Sequence, residues 1–287
     1  MAVKQSNTLR FSDGIRQDAG EIYHYGNVIV AGDVTGDFTL IADGYLLIKG
    51  AVKFAHLRAG GDLTVEGEMT NCHLVAGGKV IIRSLTGSDA HADGNLFVRG
   101  DVEKSRLDAG GQITVVGGEV RDGELFAARG LWVETVKCSA PRHTVLTAGW
   151  HFAERQKWAA LSAEAKKDEA ERQELVNYLG AKLTEIANKK LTGRQSPPQE
   201  VVERMRRLRI VTHHLEQINA CLQKLESHSA EKAIIVCEKE IAVGVSVNLQ
   251  RADATLTAPL TGIVSLFLAD DANTISRKDE ALLKREG

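Results

Sequence analysis

Aromatic side chains are scarce in this chain, at 5% of residues, and only four prolines interrupt it. With so few rings, a core for 287 residues has to be assembled mostly from aliphatic side chains. The four cysteines, Cys72, Cys138, Cys221 and Cys237, have no C-x-x-C spacing. That pattern excludes a clustered thiolate metal site or a redox dithiol, and reduced, mostly buried thiols are expected. Neither sign of charge dominates: the formal net charge of -2 provides no overall field to attract nucleic acid or anionic lipid. No stretch approaches the ~20 apolar residues that span a bilayer. The first thirty residues lack a basic start followed by an apolar run, so a soluble cytoplasmic protein is expected. The "GGKVII" stretch has neither Walker spacing nor a following helix, which excludes a phosphate loop. No Ser-His-Asp or Cys-His arrangement is legible, and no cofactor is indicated.

Glycine, in contrast, is plentiful at 27 residues, and it is periodic. Units opening on glycine read GNVIVAG (26), GYLLIKG (44), GDLTVEG (61), GKVIIRS (78), GNLFVRG (94) and GQITVVG (111), with a weaker GLWVETV at 130. Between them lie second elements such as MTNCHLVAG (69–77) and VEKSRLDAG (102–110). The pieces are strand-sized and alternate apolar with polar, as in Leu63-Thr64-Val65-Glu66. Pieces this short cannot bury an apolar row alone, but stacked coils cover one another. The spacing therefore predicts a parallel β-helix with three faces and about seven coils of ~17 residues, mainly β with one α insertion. Its inward row is Val28, Val30, Leu46, Ile48, Leu63, Val65, Val80, Ile82, Leu96, Val98, Ile113 and Val115. A hexapeptide β-helix and a leucine-rich repeat are both at odds with the period.

From Phe152 the glycines almost vanish. A 4-3 pattern runs through Leu161, Ala165, Asp168, Arg172, Leu175, Leu179, Lys182/Leu183 and Ile186. "LTGRQSPP" (191–198) breaks it, and a cleaner seam follows in Val201, Leu208, Val211, Leu215, Ile218, Leu222 and Leu225. An antiparallel coiled-coil hairpin, roughly 50 Å long, is expected. The expected organisation is a lead-in at 1–25, a β-helix at 26–150 and the hairpin at 151–229. Strands closing the last coil follow at 230–270, and a frayed, charged tail at 271–287.

Candidate site residues are few. His56, His73 and His91 recur at spacings of 17 and 18, which would stack them as one column on an outer face, a weak metal or pH candidate beside a plain polar ladder. Asp43, Asp62, Asp93, Asp101 and Asp108 sit beside corner glycines and Glu66 lies in a strand piece. A carboxylate pair of a polysaccharide-cleaving β-helix could be drawn from them, but turn capping accounts for the corner aspartates without catalysis. In the hairpin, Trp158 and Tyr178 lie along the weak seam and need cover, by a partner or a second copy. The run Arg204, Arg206, Arg207 and Arg209 covers all sides of a helix without interleaved aromatics. It reads as a solvated face matched to Glu164, Glu169, Glu171 and Glu174 of the first helix, with an RNA or acidic-partner patch as the alternative.

The coils, the hairpin and the closing segment "EIAVGVSVNLQRADATLTAPLTGIVSLFL" together resemble the flagellar assembly protein A (FapA) family over roughly residues 15–270. So does the start, "GEIYHYGNVIVAGDVTGDFTLIADGYLLIKGAV". The resemblance implies a right-handed three-sided β-helix similar to the C-terminal domain of the division inhibitor MinC. It also implies a non-enzymatic scaffold or adaptor with protein partners in flagellar assembly, recruited to the cell pole. A bactofilin-like filament of stacked β-helices is the alternative from another class, followed by a carbohydrate-active enzyme.

Overall fold

The computed structural model describes residues 7–16, 20–139, 143–150, 152–189, 198–228, 233–250, 252–269 and 274–279. It divides into two compact units, Met1–Phe152 together with Glu231–Gly287, and Ala153–Ala230.

The first unit is a three-sided β-solenoid. On its first face Leu9, Val28, Leu46, Leu63, Val80, Leu96, Ile113, Leu131 and Ile235 lie in parallel register, one above the next. On the second face the equivalent inward column is Ile15, Val34, Val52, Met69, Leu85, Val102, Val120, Val136 and Ile241. The third face contributes Ile22, Leu40, Leu57, Leu74, Ala90, Leu107, Leu125, Leu146 and Val247. Every inward residue expected from the repeat is at most 1% exposed. Beside the third-face column stands a ladder of small side chains, Ala42, Ala59, Ala76, Ala92, Ala109, Ala127 and Ala148. These explain the recurring Ala-Gly-Gly. A Cβ at Gly60 would lie 2.3 Å from the Asp43 carbonyl oxygen, and one at Gly77 2.5 Å from that of Gly60, so the corner closes only on glycine.

The solenoid is longer at both ends than the seven glycine-led units. A first coil comes from Thr8–Phe11, Ile15–Arg16 and Glu21–His24, within the expected lead-in. Eight coils follow one another up to Val145–Ala148. A ninth, from Ile234–Ile241 and Ser246–Leu249, is laid down parallel to the eighth after the helices. Neither end announces itself, because Asn7 and Ala233 stand where Gly26, Gly44 and Gly61 open their coils. The weaker unit was also read one residue out of phase: Gly130 pairs with Gln112, which leaves Arg129 in the opening position. Antiparallel strands follow the ninth coil. Ala252–Thr255 pairs with Ser246–Leu249, Val264–Leu268 pairs with Ile234–Ile241, and Ile275–Asp279 pairs with Val264–Leu268. The expected frayed tail thus begins with a strand, held by backbone pairing from Leu268↔Ile275 to Val264↔Asp279; residues 280–287 lie outside the described residues.

Corners carry their own ladder. Two residues before six of the nine third-face strands the chain takes a left-handed residue: Phe54 (φ 63°), Asn71 (51°), Gly87 (61°), Lys104 (49°), Asp122 (53°) and Gly244 (85°). The next residue points inward, and at Ser88 and Ser105 it is polar yet only 1% and 3% exposed. These hydroxyls are satisfied twice. The Ser88 hydroxyl donates to the Thr86 carbonyl and accepts the Cys72 amide. The Ser105 hydroxyl donates to the Glu103 carbonyl and accepts the Ser88 amide. Each coil thereby ties an amide of the coil below, which removes the cost of burying it unpaired.

The second unit is a hairpin of α1 (Phe152–Lys189) and α2 (Gln199–His228). On α2 Val201, Val211, Leu215 and Ile218 are buried, and Leu208, Leu222 and Leu225 half-buried, at heptad spacing. On α1 the predicted row Leu161, Ala165, Asp168, Arg172, Leu175 and Leu179 is the covered one; the side chain of Ile186 lies outside the described residues. Cross-helix bonds fix the antiparallel direction: Tyr178 with Glu200, Glu171 with Arg207, Asp168 with His214.

The left-handed column generates a stability prediction. Phe54 is 53% exposed, so its ring returns little burial for a conformation that costs a bulky L-residue about 1 kcal/mol or more. Phe54→Asn is expected to raise stability by about 1 kcal/mol in urea unfolding of the solenoid. Gly87→Val, forced into the same φ with its Cβ 2.5 Å from the Asn71 side-chain oxygen, is expected to lower it by at least ~2 kcal/mol. A loss on Phe54→Asn would show that ring contacts outweigh backbone strain.

Candidate functional site

The corner carboxylates are structural acceptors. Asp62 Oδ1 accepts the Lys79 amide at 2.9 Å, Asp33 Oδ1 the Ala51 amide at 2.8 Å and Asp101 Oδ1 the Glu119 amide at 2.9 Å. Asn27, Asn95 and Asp122 do the same for Tyr45, Gln112 and Ser139. Turn capping was the expectation; the bonds run instead to the next coil, because stacking places an unpaired corner amide directly above each side chain. Asp43, Asp93 and Asp108 bond to side chains instead.

The histidine column is only partly formed. His56 and His73 are in register, with ring centroids 6.0 Å apart, and Asp37 lies 3.8 Å from His56 Nε2. His91 leaves the column: His73 registers with Asp89, and His91 pairs with Val75 and Asp108. The coil between them has one residue fewer than its neighbours, so a spacing of 18 overshoots by two. His91 Nδ1 instead lies 3.0 Å from Asp108 Oδ2 and its Nε2 3.2 Å from Asp93 Oδ1. Among the described residues no group of three or more His, Cys, Asp or Glu side chains is placed to hold a metal ion. The buried Cys72 and Cys237 thiols have pKa values raised by desolvation, and therefore stay protonated and unreactive.

One cluster was missed from sequence. Tyr23, Tyr25 and Tyr45 are 42%, 79% and 39% exposed, at the corner where the third face of coils one and two turns back to the first. Tyr23 and Tyr25 meet edge to face at 4.6 Å. The Tyr23 hydroxyl donates to both carboxylate oxygens of Asp43 at 2.8 Å. Three of the chain's four tyrosines within residues 23–45 was the available signal.

In the hairpin the five candidate residues do not act alike. Arg207 forms a forked bond to Glu171, 2.5 and 2.9 Å long, crossing between helices. Arg204 pairs with Glu200 at 3.0 Å and stacks over the Tyr178 ring at 3.6 Å. Tyr178 donates to Glu200, so Arg204 and Glu200 cover the face of a ring that the weak α1 seam leaves out. Trp158 is half-covered, with the Arg155 guanidinium 4.9 Å from its ring centroid. Arg206 is exposed on the outer side, beside the 50% exposed Met205. Asp168, at a seam position, is kept polar by His214 at 2.6 Å.

The Tyr23–Asp43 pair yields a titration. The neighbouring carboxylate, through its hydrogen bond first and then desolvation, pushes the Tyr23 phenol up from 10.0 to about 12. A raised folded-state pKa favours the protonated phenol, so this contribution to stability is complete below pH 10 and disappears as pH rises toward 12. Ultraviolet titration is expected to show one tyrosine ionising near 12, and Asp43→Asn to return it toward 10. An unchanged curve in Asp43→Asn would contradict the assignment.

One comparison identifies the architecture. The family model described as the flagellar assembly protein A (FapA) beta solenoid domain matches residues 8–274. No match was found among curated proteins or among solved structures. The matched span runs from the first strand of coil one through the antiparallel strand Val264–Leu268 and stops just before Ile275–Asp279, with the helical hairpin inside it. The chain belongs to the FapA family.

Proposed function

We propose that the protein is a non-enzymatic scaffold or adaptor in bacterial flagellar assembly, acting through contacts with other proteins. The observation that carries this reading is the match of the family model over residues 8–274. The state of the polar groups supports it: Asp62 and Asp101, which a carbohydrate-cleaving β-helix would need as free carboxylates, are engaged as acceptors between coils. The solenoid supplies long flat faces, the kind of surface on which repeat proteins bind partners. In the hairpin, Arg206, Met205 and Ile210 form the exposed side of α2, and these together with Trp158 are the contact residues of the adaptor reading. Arg204, Arg207 and Tyr178 hold the two helices together and shape that surface from below.

No helix among the described residues is long and apolar enough to cross a membrane, and recruitment to the cell pole in this reading depends on a protein partner. End-to-end filament growth is disfavoured on the side of coil nine, whose edge is occupied by antiparallel strands.

The test is genetic. Deletion of the gene in its flagellated host is expected to reduce flagellar number and swimming, counted by electron microscopy and soft-agar spread. Complementation with the full chain restores both, while Arg206→Glu with Ile210→Glu restores them poorly despite normal protein levels. Normal flagellation in the deletion strain would remove the proposed role.

A further inference from the structure

Exposed rings are concentrated at one end of the solenoid. Of the five exposed Tyr, Phe and Trp side chains among the described residues, Tyr23, Tyr25, Tyr45 and Phe54 lie in coils one to three, and Trp132 is the exception. Elsewhere the chain covers half-buried rings with its own guanidinium groups. Arg99 lies 5.9 Å from the Phe97 centroid, Arg155 4.9 Å from Trp158 and Arg204 3.6 Å from Tyr178. No Lys or Arg among the described residues is placed this way over the four rings of coils one to three. Each of the four stands near a carboxylate instead.

Two corners of coil two supply those carboxylates, one at either end of the strand Thr39–Ala42. At the far corner Tyr25 follows the His24↔Ala42 pair by one residue, which sets it beside Asp43 in the adjacent coil. The Tyr25 ring stands at 87° to that of Tyr23, and 79% of the residue is exposed. The Tyr23 hydroxyl pins the Asp43 carboxylate at 2.8 Å from both oxygens. A carboxylate has about four lone-pair sites, so acceptor capacity remains. At the near corner coil two carries one residue more than coil three, five steps from Val34 to Thr39 against four from Val52 to His56. Asp37 stands out of that longer corner, its side chain 82% exposed and 3.8 Å from His56. Gly36, Asp37, Phe54, His56 and Asn71 line a cavity of about 470 Å³ there. Glu21, on the strand of coil one, adds a third exposed carboxylate, while the bordering cations Lys53 and Arg58 belong to coil three.

We propose that this end of the third face binds an extended, arginine-bearing segment of a partner protein, laid over coils one and two. One guanidinium rests on the Tyr25 ring with its N–H edge toward Asp43, and a second rests on Phe54 with its edge toward Asp37. A planar guanidinium can stack on a ring and donate to a carboxylate at the same time, which an ammonium cannot do as well. Asp37 and Asp43 are six residues apart along the coil, at most ~20 Å. In an extended segment residues six apart point to the same side, so arginines at that interval reach both corners. Two anchors on one segment raise its affinity above that of a single cation. The same contact gives a use to the Phe54 ring, which is held in a left-handed conformation that its burial does not repay.

The inference is tested by isothermal titration calorimetry of the full chain with the peptide acetyl-Arg-Thr-Ser-Thr-Ser-Thr-Arg-amide. A dissociation constant on the order of 100 µM is expected at low salt, rising severalfold with added salt. The same peptide with Gln at both ends is expected not to bind. Asp43→Asn and Tyr25→Ala are each expected to weaken binding about fivefold or more. Phe54→Asn is expected to weaken it similarly while unfolding at a higher urea concentration, which separates a lost contact from a lost fold. Absence of binding up to about 5 mM, equal affinity for the glutamine peptide, or unchanged affinity in Asp43→Asn and Tyr25→Ala would overturn the site. Arginine amide binding as tightly as the two-arginine peptide would overturn the extended segment. Self-association of the chain that the peptide dissolves would assign the site to a second copy and overturn the partner. These contacts lie apart from the helical surface of the adaptor reading, and calorimetry requires no flagellated cell, so either reading can fail alone.

Discussion

Parallel hydrogen bonding between consecutive coils, with one aliphatic column covering the next, is the constraint on which this architecture depends. No coil can bury its own inward residues, since each contributes only one to three per face. Leu63 is shielded by Leu46 below and Val80 above, and removing one coil would expose both neighbours. Stability is therefore distributed as nearest-neighbour terms along one dimension. The polar ladders follow the same logic. The Ser88 hydroxyl answers an amide of the coil beneath it, and the Asp62 carboxylate answers one of the coil above, so corners that would otherwise strand backbone groups are closed by the layer next to them.

That logic also explains how the corner carboxylates of this fold are used. A side chain near a corner has an unpaired amide within reach in the adjacent coil, and a short carboxylate or carboxamide satisfies it at once. Asp33, Asp62, Asp101 and Asp122 are consumed this way. Longer carboxylates find cations instead, as Glu134 does with Lys239, whose hydrogen bond holds that carboxyl below its ordinary range. Beside these engaged groups the fold presents flat outer faces, and a pair of helices whose exposed side is set by how their seam is filled.

The repeat was legible because the geometry of its corners admits so few residues. Ala-Gly-Gly marks a place where a Cβ would strike the carbonyl of the coil below, and that requirement writes itself into the chain. The two terminal coils were hidden for the same reason in reverse, since Asn7 and Ala233 replace the glycine signal. His91 was misassigned because coil length varies, and a single residue fewer slides a side chain into a different column. The α1 seam remained readable through Asp168 and Arg172 because heptad spacing persists where apolarity does not; His214 and the charged ends of these side chains absorb the exceptions. The buried hydroxyl ladder could not be read in advance. It consists of residues that look unrelated until the register of all coils is known.

The helices interrupt the solenoid between Ala148 and Ile234, yet the strands on either side of that gap belong to consecutive layers. An unstructured loop over residues 149–233 would impose a substantial closure entropy before the ninth coil could dock. Two helices that zip together locally bring their outer ends side by side first, so the effective loop contracts by about three doublings of length, ~2 kcal/mol. The insertion is in this respect a length adapter: paired heptads can be added to or removed from both helices without disturbing the layer that follows. The hairpin can therefore diverge in reach between relatives while the stack it interrupts stays fixed.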